Sequence, residues 1–418
     1  MISPTSIIAM RSSERVPYLD TIIRVLLAVY IAVLPFKSLL IVERNGFLVL
    51  CSLLVGWCAI NRRLFYSRTP YDMPLLAFVV WVGLTIPFAV VPSYSGKEYG
   101  KLLQQLVIFY AVIYFFKELR ARQALVGLIG IVAVVVTAYG LSQFTLSDPQ
   151  SVVSFFSAEV WLTTFLVMVI PFALVLGLGD GPLEFRSGGA VAAGMMLVCL
   201  ITTQSRAGLV GLVGELWVIA WFIRSVSARI VVVLVTVGVV AVMALVLSDG
   251  ATGVRSDIAN ALPIKQSALS AFHRFEIWGF AMSEIVNHWL VGIGYGNLSY
   301  LFSYGQDQEV VMLGHYPIAR AGTHNIVLYL ALHVGLPGLL LFGWLMVRVM
   351  RTTAAAYRHA QEWRSKAVLL GTLGSVVGLM LRLQFDQMLV GSLAVFFWVL
   401  LALAVLSYPS CNRVAVET

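Results

Sequence analysis

His324 is the residue best placed to move a proton. It stands in Thr323-His324-Asn325 at the entry to a long apolar run, and nine residues after Asn325 comes Gly335-Leu-Pro-Gly338. The positive end of a helix dipole disfavours an imidazolium, so a histidine there stays neutral and can accept a proton. A rotation of about 100° per residue puts Gly335 roughly 20° from His324 and His333 roughly 180° away. This predicts a groove running from a basic His324 down a glycine face, with His333 a partnered structural histidine. Two arginines offer the complementary chemistry. Arg206 sits in a polar break, Thr202-Thr203-Gln204-Ser205-Arg206-Ala207-Gly208, and Arg274 precedes Trp278 by one turn on an amphipathic stretch. A guanidinium grips two phosphate oxygens without a metal ion, and a diphosphate leaving group needs its charge neutralised as its ester bond breaks.

Plainer readings stand beside these. Arg206 also fits a snorkelling interfacial arginine, Arg274 a solvated pair with Glu276, and His324 a helix-start residue. Glycines in membrane helices commonly serve packing. Arg24 is expected to pair with Asp20, and Arg382 with Asp386, each at i,i+4. Lys97 and Lys101 could attract an anion. Asp307-Gln308-Glu309 is a weak candidate for a cation site. Val291-Gly-Ile-Gly-Tyr-Gly296-Asn297 reads as a flexible glycine turn. No strand precedes it and its spacing does not match nucleotide fingerprints.

The elements that must position these residues are membrane helices. The chain has 418 residues, of which 60% are hydrophobic and 11% charged, outside the range of soluble globular proteins. Its apolar runs are continuous, whereas a membrane barrel needs alternating strands. The fold class expected is an all-α polytopic membrane protein with twelve spans: 19–41, 46–60, 73–91, 102–117, 123–144, 161–178, 189–203, 208–224, 230–247, 324–347, 367–385 and 388–407. Nine spans occupy 1–248, a partly helical loop 249–323, and three spans with a cytoplasmic tail 324–418. With both ends inside, 17 of the 28 Lys and Arg fall in cytoplasmic segments. The long loop holds only Arg255, Lys265, Arg274 and Arg320, so it faces outward. The net charge of +8 thus reports topology and contact with anionic membrane lipids, not nucleic acid.

No cleavable signal peptide is expected, since residues 1–18 are polar and the first apolar run lacks a cleavage site. Cys51, Cys58, Cys199 and Cys411 lie outside the loop, so neither a disulfide there nor a metal site is expected. The loop is too aromatic for disorder. From Ala271 to Leu290, Phe272, Phe275, Ile277, Trp278, Phe280, Ala281 and Ile285 recur at helical spacing, predicting an interfacial amphipathic helix that carries His273, Arg274 and Glu276.

The order of Ser205-Arg206-Ala207-Gly208, a long outer loop with Arg274-x3-Trp278, and His324-Asn325-x9-Gly335-x2-Gly338 resembles the O-antigen ligase family of Gram-negative inner membranes. The resemblance implies a metal-independent, cofactor-free, inverting glycosyltransferase with its active site in the periplasm. It would move polysaccharide from an undecaprenyl-diphosphate carrier to a sugar hydroxyl of lipid A–core. In that reading His324 orients or deprotonates the acceptor, and Arg206, Arg274 and Arg320 hold the diphosphate. Asn325, Trp278, Gly335 and Gly338 support them. O-antigen polymerases and protein O-oligosaccharyltransferases of the same superfamily are the alternatives. A lipid-linked glycan transporter is the alternative from another class.

Overall fold

The computed structural model describes residues 17–144, 152–223, 225–248, 277–297, 299, 312–313, 316–317, 322–386 and 389–409. Helices occupy every expected span. They are α1 (Pro17–Val33), α2 (Leu40–Asn61), α3 (Asp72–Thr85), α4 (Pro92–Phe115), α5 (Leu119–Gln143) and α6 (Glu159–Leu178). Then come α7 (Leu183–Thr202), α8 (Arg206–Phe222), α9 (Val226–Ser248), α10 (Ile326–His359), α11 (Trp363–Arg382) and α12 (Gly391–Leu406). Six helical segments are long and apolar enough to cross a bilayer: Lys37–Asn61, Leu119–Gln143, Glu159–Leu178, Leu183–Thr202, Ile326–His359 and Trp363–Arg382. Asp72–Phe88, Val226–Ala241 and Gly391–Leu406 are shorter apolar helices. The chain is a multi-pass membrane protein. Its one described ladder is a two-residue antiparallel pair, with Met312 opposite Pro317 and Leu313 opposite Tyr316.

The core is built around α11, which packs extensively against both α6 and α8, while α6 packs as closely against α7. Small residues set the spacing. A Cβ at Gly211 would lie 2.9 Å from the Gly378 carbonyl, and one at Gly374 2.9 Å from Pro171. One at Gly378 would fall 2.4 Å from the side chain of Glu215, which is fully buried. Without a hydrophobic drive between helices in lipid, such close backbone approach is what holds them together. By contrast, only 11% of the most apolar stretch in Lys37–Asn61 is buried, so α2 is peripheral.

The two expected i,i+4 ion pairs do not form. Arg24 pairs instead with Glu118 at 3.0 Å, and Asp20 accepts from the Trp57 indole at 2.6 Å. Arg382 is the last residue of α11, and the chain turns after it, so Asp386 no longer lies one helical turn away.

α10 is broken. Gly335 has φ +73°, ψ 173° inside an otherwise helical run. Pro337 has no N–H to give the His333 carbonyl, and the break diverts the N–H of Leu336 to Trp289 at 2.8 Å. The freed carbonyls find other donors: Leu332 accepts from Ile293 at 2.9 Å, His333 from Gly294 at 3.1 Å, and Val334 from the Trp81 indole at 2.8 Å. The expectation of a groove along Gly335 and Gly338 is therefore corrected. A Cβ at Gly335 would meet the Leu290 carbonyl at 2.1 Å, and one at Gly338 would meet Val334 at 2.4 Å. The two glycines admit a docked loop and a tight helix wall.

Candidate functional site

The loop element that reaches α10 is helical over 277–287. Ala281 and Ile285 on its inner face pack with Ile293, Ala331 and Leu332. Its expected first turn, with Phe272, Phe275, His273, Arg274 and Glu276, lies outside the described residues, as do Arg320, Asp307 and Glu309. Trp278 is described, and its indole donates to the Thr323 carbonyl at 2.8 Å, tying the loop helix to the residue before His324. The glycine turn is docked rather than free. Gly292, Gly294 and Gly296 all have positive φ, and a Cβ at Gly292 would meet the His333 backbone at 2.5 Å. Beside it, burial pushes the Tyr295 phenol well above its ordinary range, and Glu98 and Tyr94 push it further.

At the mouth of α10 the sequence dictates a capped start. Asn325 is the N-cap, and its Oδ1 accepts from Val327 N–H at 2.9 Å and Leu328 N–H at 3.1 Å. Its amide Nδ2 donates to the Gln384 carbonyl at 3.1 Å, while Ile326 N–H donates to the Leu383 carbonyl at 2.8 Å. The start of α10 is thus stitched to the turn after α11. His324 precedes the cap in the left-handed region at φ +48°, a conformation that residues with side chains seldom adopt.

That stitching brings Asp386 to His324, with Asp386 Oδ1 3.6 Å from Nδ1. The separation is that of an ion pair and exceeds a hydrogen bond. Asp386 Oδ1 is buried without a hydrogen-bond partner among the described residues, and it lies beside the imidazole while staying within electrostatic reach of Arg382. His324 keeps 28% of its side chain exposed. The imidazole thus stands with Nδ1 near a carboxylate and part of the ring exposed, which is how a carboxylate orients a histidine.

Arg206 begins α8 at the same end of the bundle. Its chain enters through Gln204 at φ +53° and the Ser205 N-cap, whose hydroxyl accepts from Gly208 N–H at 3.2 Å. Arg206 is exposed and makes no ion pair among the described residues. The link to His324 runs through α11. A Cβ at Gly211 would touch the Arg382 Cβ at 3.3 Å, and Arg382 lies one turn of chain before Asp386. Arg382 itself is buried and donates to the Val160 carbonyl at 2.8 Å, pinning the end of α11 to the start of α6. Lys101 is engaged with Glu98 at 2.6 Å, while Lys97 is exposed.

His333 is the internal histidine the sequence suggested. It is buried, stacked on Tyr329 at 4.1 Å, and donates from Nδ1 to the Tyr329 carbonyl at 2.7 Å. Its Nε2 has no partner among the described residues. Sequence reasoning missed the His324–Asp386 pairing and the Asn325–Gln384 stitch. Asn325 as the cap was a findable signal, since Asn before an apolar run is a strong N-cap preference. Among the described residues no group of three His, Cys, Asp or Glu could hold a metal ion.

A comparison with curated proteins gave no match. Residues 191–343, from α7 through the break in α10 and so including Arg206 and His324, match the family model described as O-antigen ligase.

Proposed function

We propose that the protein is an O-antigen ligase that moves polysaccharide from undecaprenyl diphosphate to a sugar hydroxyl of lipid A–core. The reading takes the chain as twelve spans in the bacterial inner membrane, nine before residue 249 and three after 323, with both termini cytoplasmic. The 249–323 loop and the His324 end face the periplasm. The observation that carries it is His324 set against Asp386 at the mouth of α10, within a region that matches the O-antigen ligase model.

His324 Nε2 takes the proton of the acceptor hydroxyl as its oxygen attacks the anomeric carbon. The bond from that carbon to the carrier's phosphate oxygen breaks, and undecaprenyl diphosphate leaves with the electron pair. Asp386 holds Nδ1 and stabilises the imidazolium that forms. Arg206, with Arg274 and Arg320, binds the diphosphate and offsets the charge that grows on departure. A donor already activated as a diphosphate needs no nucleotide and no metal.

The test mixes purified protein, undecaprenyl-diphosphate-linked glycan and lipid A–core in EDTA, with His324→Ala alongside. Glycan is expected on lipid A–core with the native chain, and at about 1% or less of that rate with the variant. Longer glycan still on the carrier would overturn the ligase reading in favour of a polymerase. No transfer to either lipid would overturn both.

A further inference from the structure

Arg382 is a buried charge with most of its donors unused. It closes α11, and only 1% of it is exposed. Its stem passes α8 where Gly211 leaves room, since a Cβ there would lie 3.3 Å from the Arg382 Cβ. Nη2 donates to the Val160 carbonyl of α6 at 2.8 Å, while Nε and Nη1 have no partner among the described residues. A guanidinium keeps its charge. Buried, it needs a counter-charge, because one hydrogen bond to a carbonyl does not offset the loss of water.

Asp386 is the acid that supplies it. A tight turn joins the two residues, with Phe385 N–H donating to the Arg382 carbonyl at 3.0 Å. They do not touch as an ion pair, yet the charge of Asp386 acts on Arg382. Asp386 Oδ1 is itself buried without a hydrogen-bond donor among the described residues, and it lies 3.6 Å from Nδ1 of His324. The other charged groups near Arg382 are placed differently. Glu159 and Arg206, at the starts of α6 and α8, are exposed, and Glu215 sits against Gly378, one turn deeper in α11. One carboxylate is thus shared between a permanent cation and a ring that can lose its proton.

That sharing matters to a base. A carboxylate that closes on an imidazole favours the imidazolium, which has no lone pair left to accept a proton. A fixed cation competing for the same carboxylate opposes that closure and keeps the buried acid ionised. We propose that Arg382 is a positioning residue, which divides the charge of Asp386 so that the carboxylate orients His324 without trapping it as imidazolium. The role rests on His324 being the base of the proposed transfer.

The experiment follows carbethoxylation of His324 by diethyl pyrocarbonate, resolved by mass spectrometry, on the full chain in detergent. The reagent takes only the neutral ring, so its rate reads the charge on His324 with no substrate present. Arg382→Gln keeps a donor for Val160 but removes the charge, and is expected to label about threefold more slowly at pH 7. In an Asp386→Asn background that slowing is expected to vanish, because no carboxylate remains to close on the ring. Glycan transfer by Arg382→Gln is expected to lose about threefold in kcat at pH 7 with KM unchanged. Both deficits should close by about pH 8.5, as the ring gives up its proton. Arg382→Lys keeps the charge and should label at the native rate. Native labelling or native kcat in Arg382→Gln, equal slowing in both backgrounds, or a deficit that persists at the higher pH would each overturn the proposal. So would slowed labelling in Arg382→Lys, which decides the matter even if Arg382→Gln does not fold. The labelling pattern expected here, in a chain that moves no glycan, would uphold the sharing of Asp386 and overturn only the ligase reading.

Discussion

His324 owes its position to the residues on either side of it in space, not in sequence. The cap at Asn325 and the hydrogen bond that its amide donates to the Gln384 carbonyl fix where α10 begins, and the left-handed φ of +48° then sets the ring beside Asp386. Such a backbone costs on the order of 1–3 kcal/mol and persists where the surroundings over-determine it. Asp386→Asn should leave the fold intact yet lower turnover about 100-fold, since an amide no longer stabilises the imidazolium; single-turnover kinetics would show the loss in the chemical step. Asn325→Ala should lower stability by about 1 kcal/mol, seen in the melting temperature, and turnover with it. Asn325→Asp should keep the cap but lose the donor to Gln384, and so recover only part of that stability. His324 was legible as a candidate because a histidine at the entry to a long apolar run is a chemical oddity. The carboxylate beside it was not. Asp386 lies beyond the end of α11, and a helical projection carried past Arg382 does not reveal that the carboxylate also reaches the imidazole.

At the level of elements, the break in α10 turns a loop into part of the wall. Gly335 is required there on two counts, a positive φ and a backbone 2.1 Å from where a Cβ would sit. Gly335→Ala should destabilise the protein by several kcal/mol, read as a lowered melting temperature and reduced yield of folded protein. Trp278→Phe keeps the ring but loses the indole bond to Thr323. It should cost about 1 kcal/mol and reduce activity more than stability, because it frees the segment carrying His324. The sequence did carry a sign of the break in Gly335-Leu336-Pro337, a glycine followed two residues later by a proline, which has no N–H. Angular projection from His324 to Gly335 presupposes a continuous helix, so it turned the break into a groove. The alternation of Gly292, Gly294 and Gly296 was equally visible, but the surface they dock against exists only once α10 is kinked.

Across the whole molecule, glycines fall into two kinds that look alike in sequence. Those in α8 and α11 sit tightly against a neighbouring helix, as Gly211 does against the Gly378 carbonyl, Gly214 against Leu381 and Gly378 against Glu215, and those at 127, 130 and 188 face nothing described. Gly378→Leu should therefore abolish folded protein, with size-exclusion chromatography in detergent giving the readout, while Gly127→Leu is tolerated. The class of fold was legible from hydropathy alone, since a bilayer permits few solutions. Which helices lie at the centre was not. α6 and α7 are both strongly apolar, yet 72% of the most apolar stretch is buried in α6 and only 28% in α7. Composition records what a helix can face, and the close approaches of small residues decide what it does face.

The carbonyls of Leu332, His333 and Val334 set a condition on how the chain is made. Each such group left unmet in hydrocarbon costs several kcal/mol. Their donors, Trp81, Ile293 and Gly294, all precede them in the chain and so leave the ribosome first. The bent helix enters a bilayer in which its partners already wait, and no later segment has to be threaded in to complete it. A circular permutant that delivers residues 277–297 after α12 should therefore insert poorly, as protease accessibility during membrane-coupled translation would reveal.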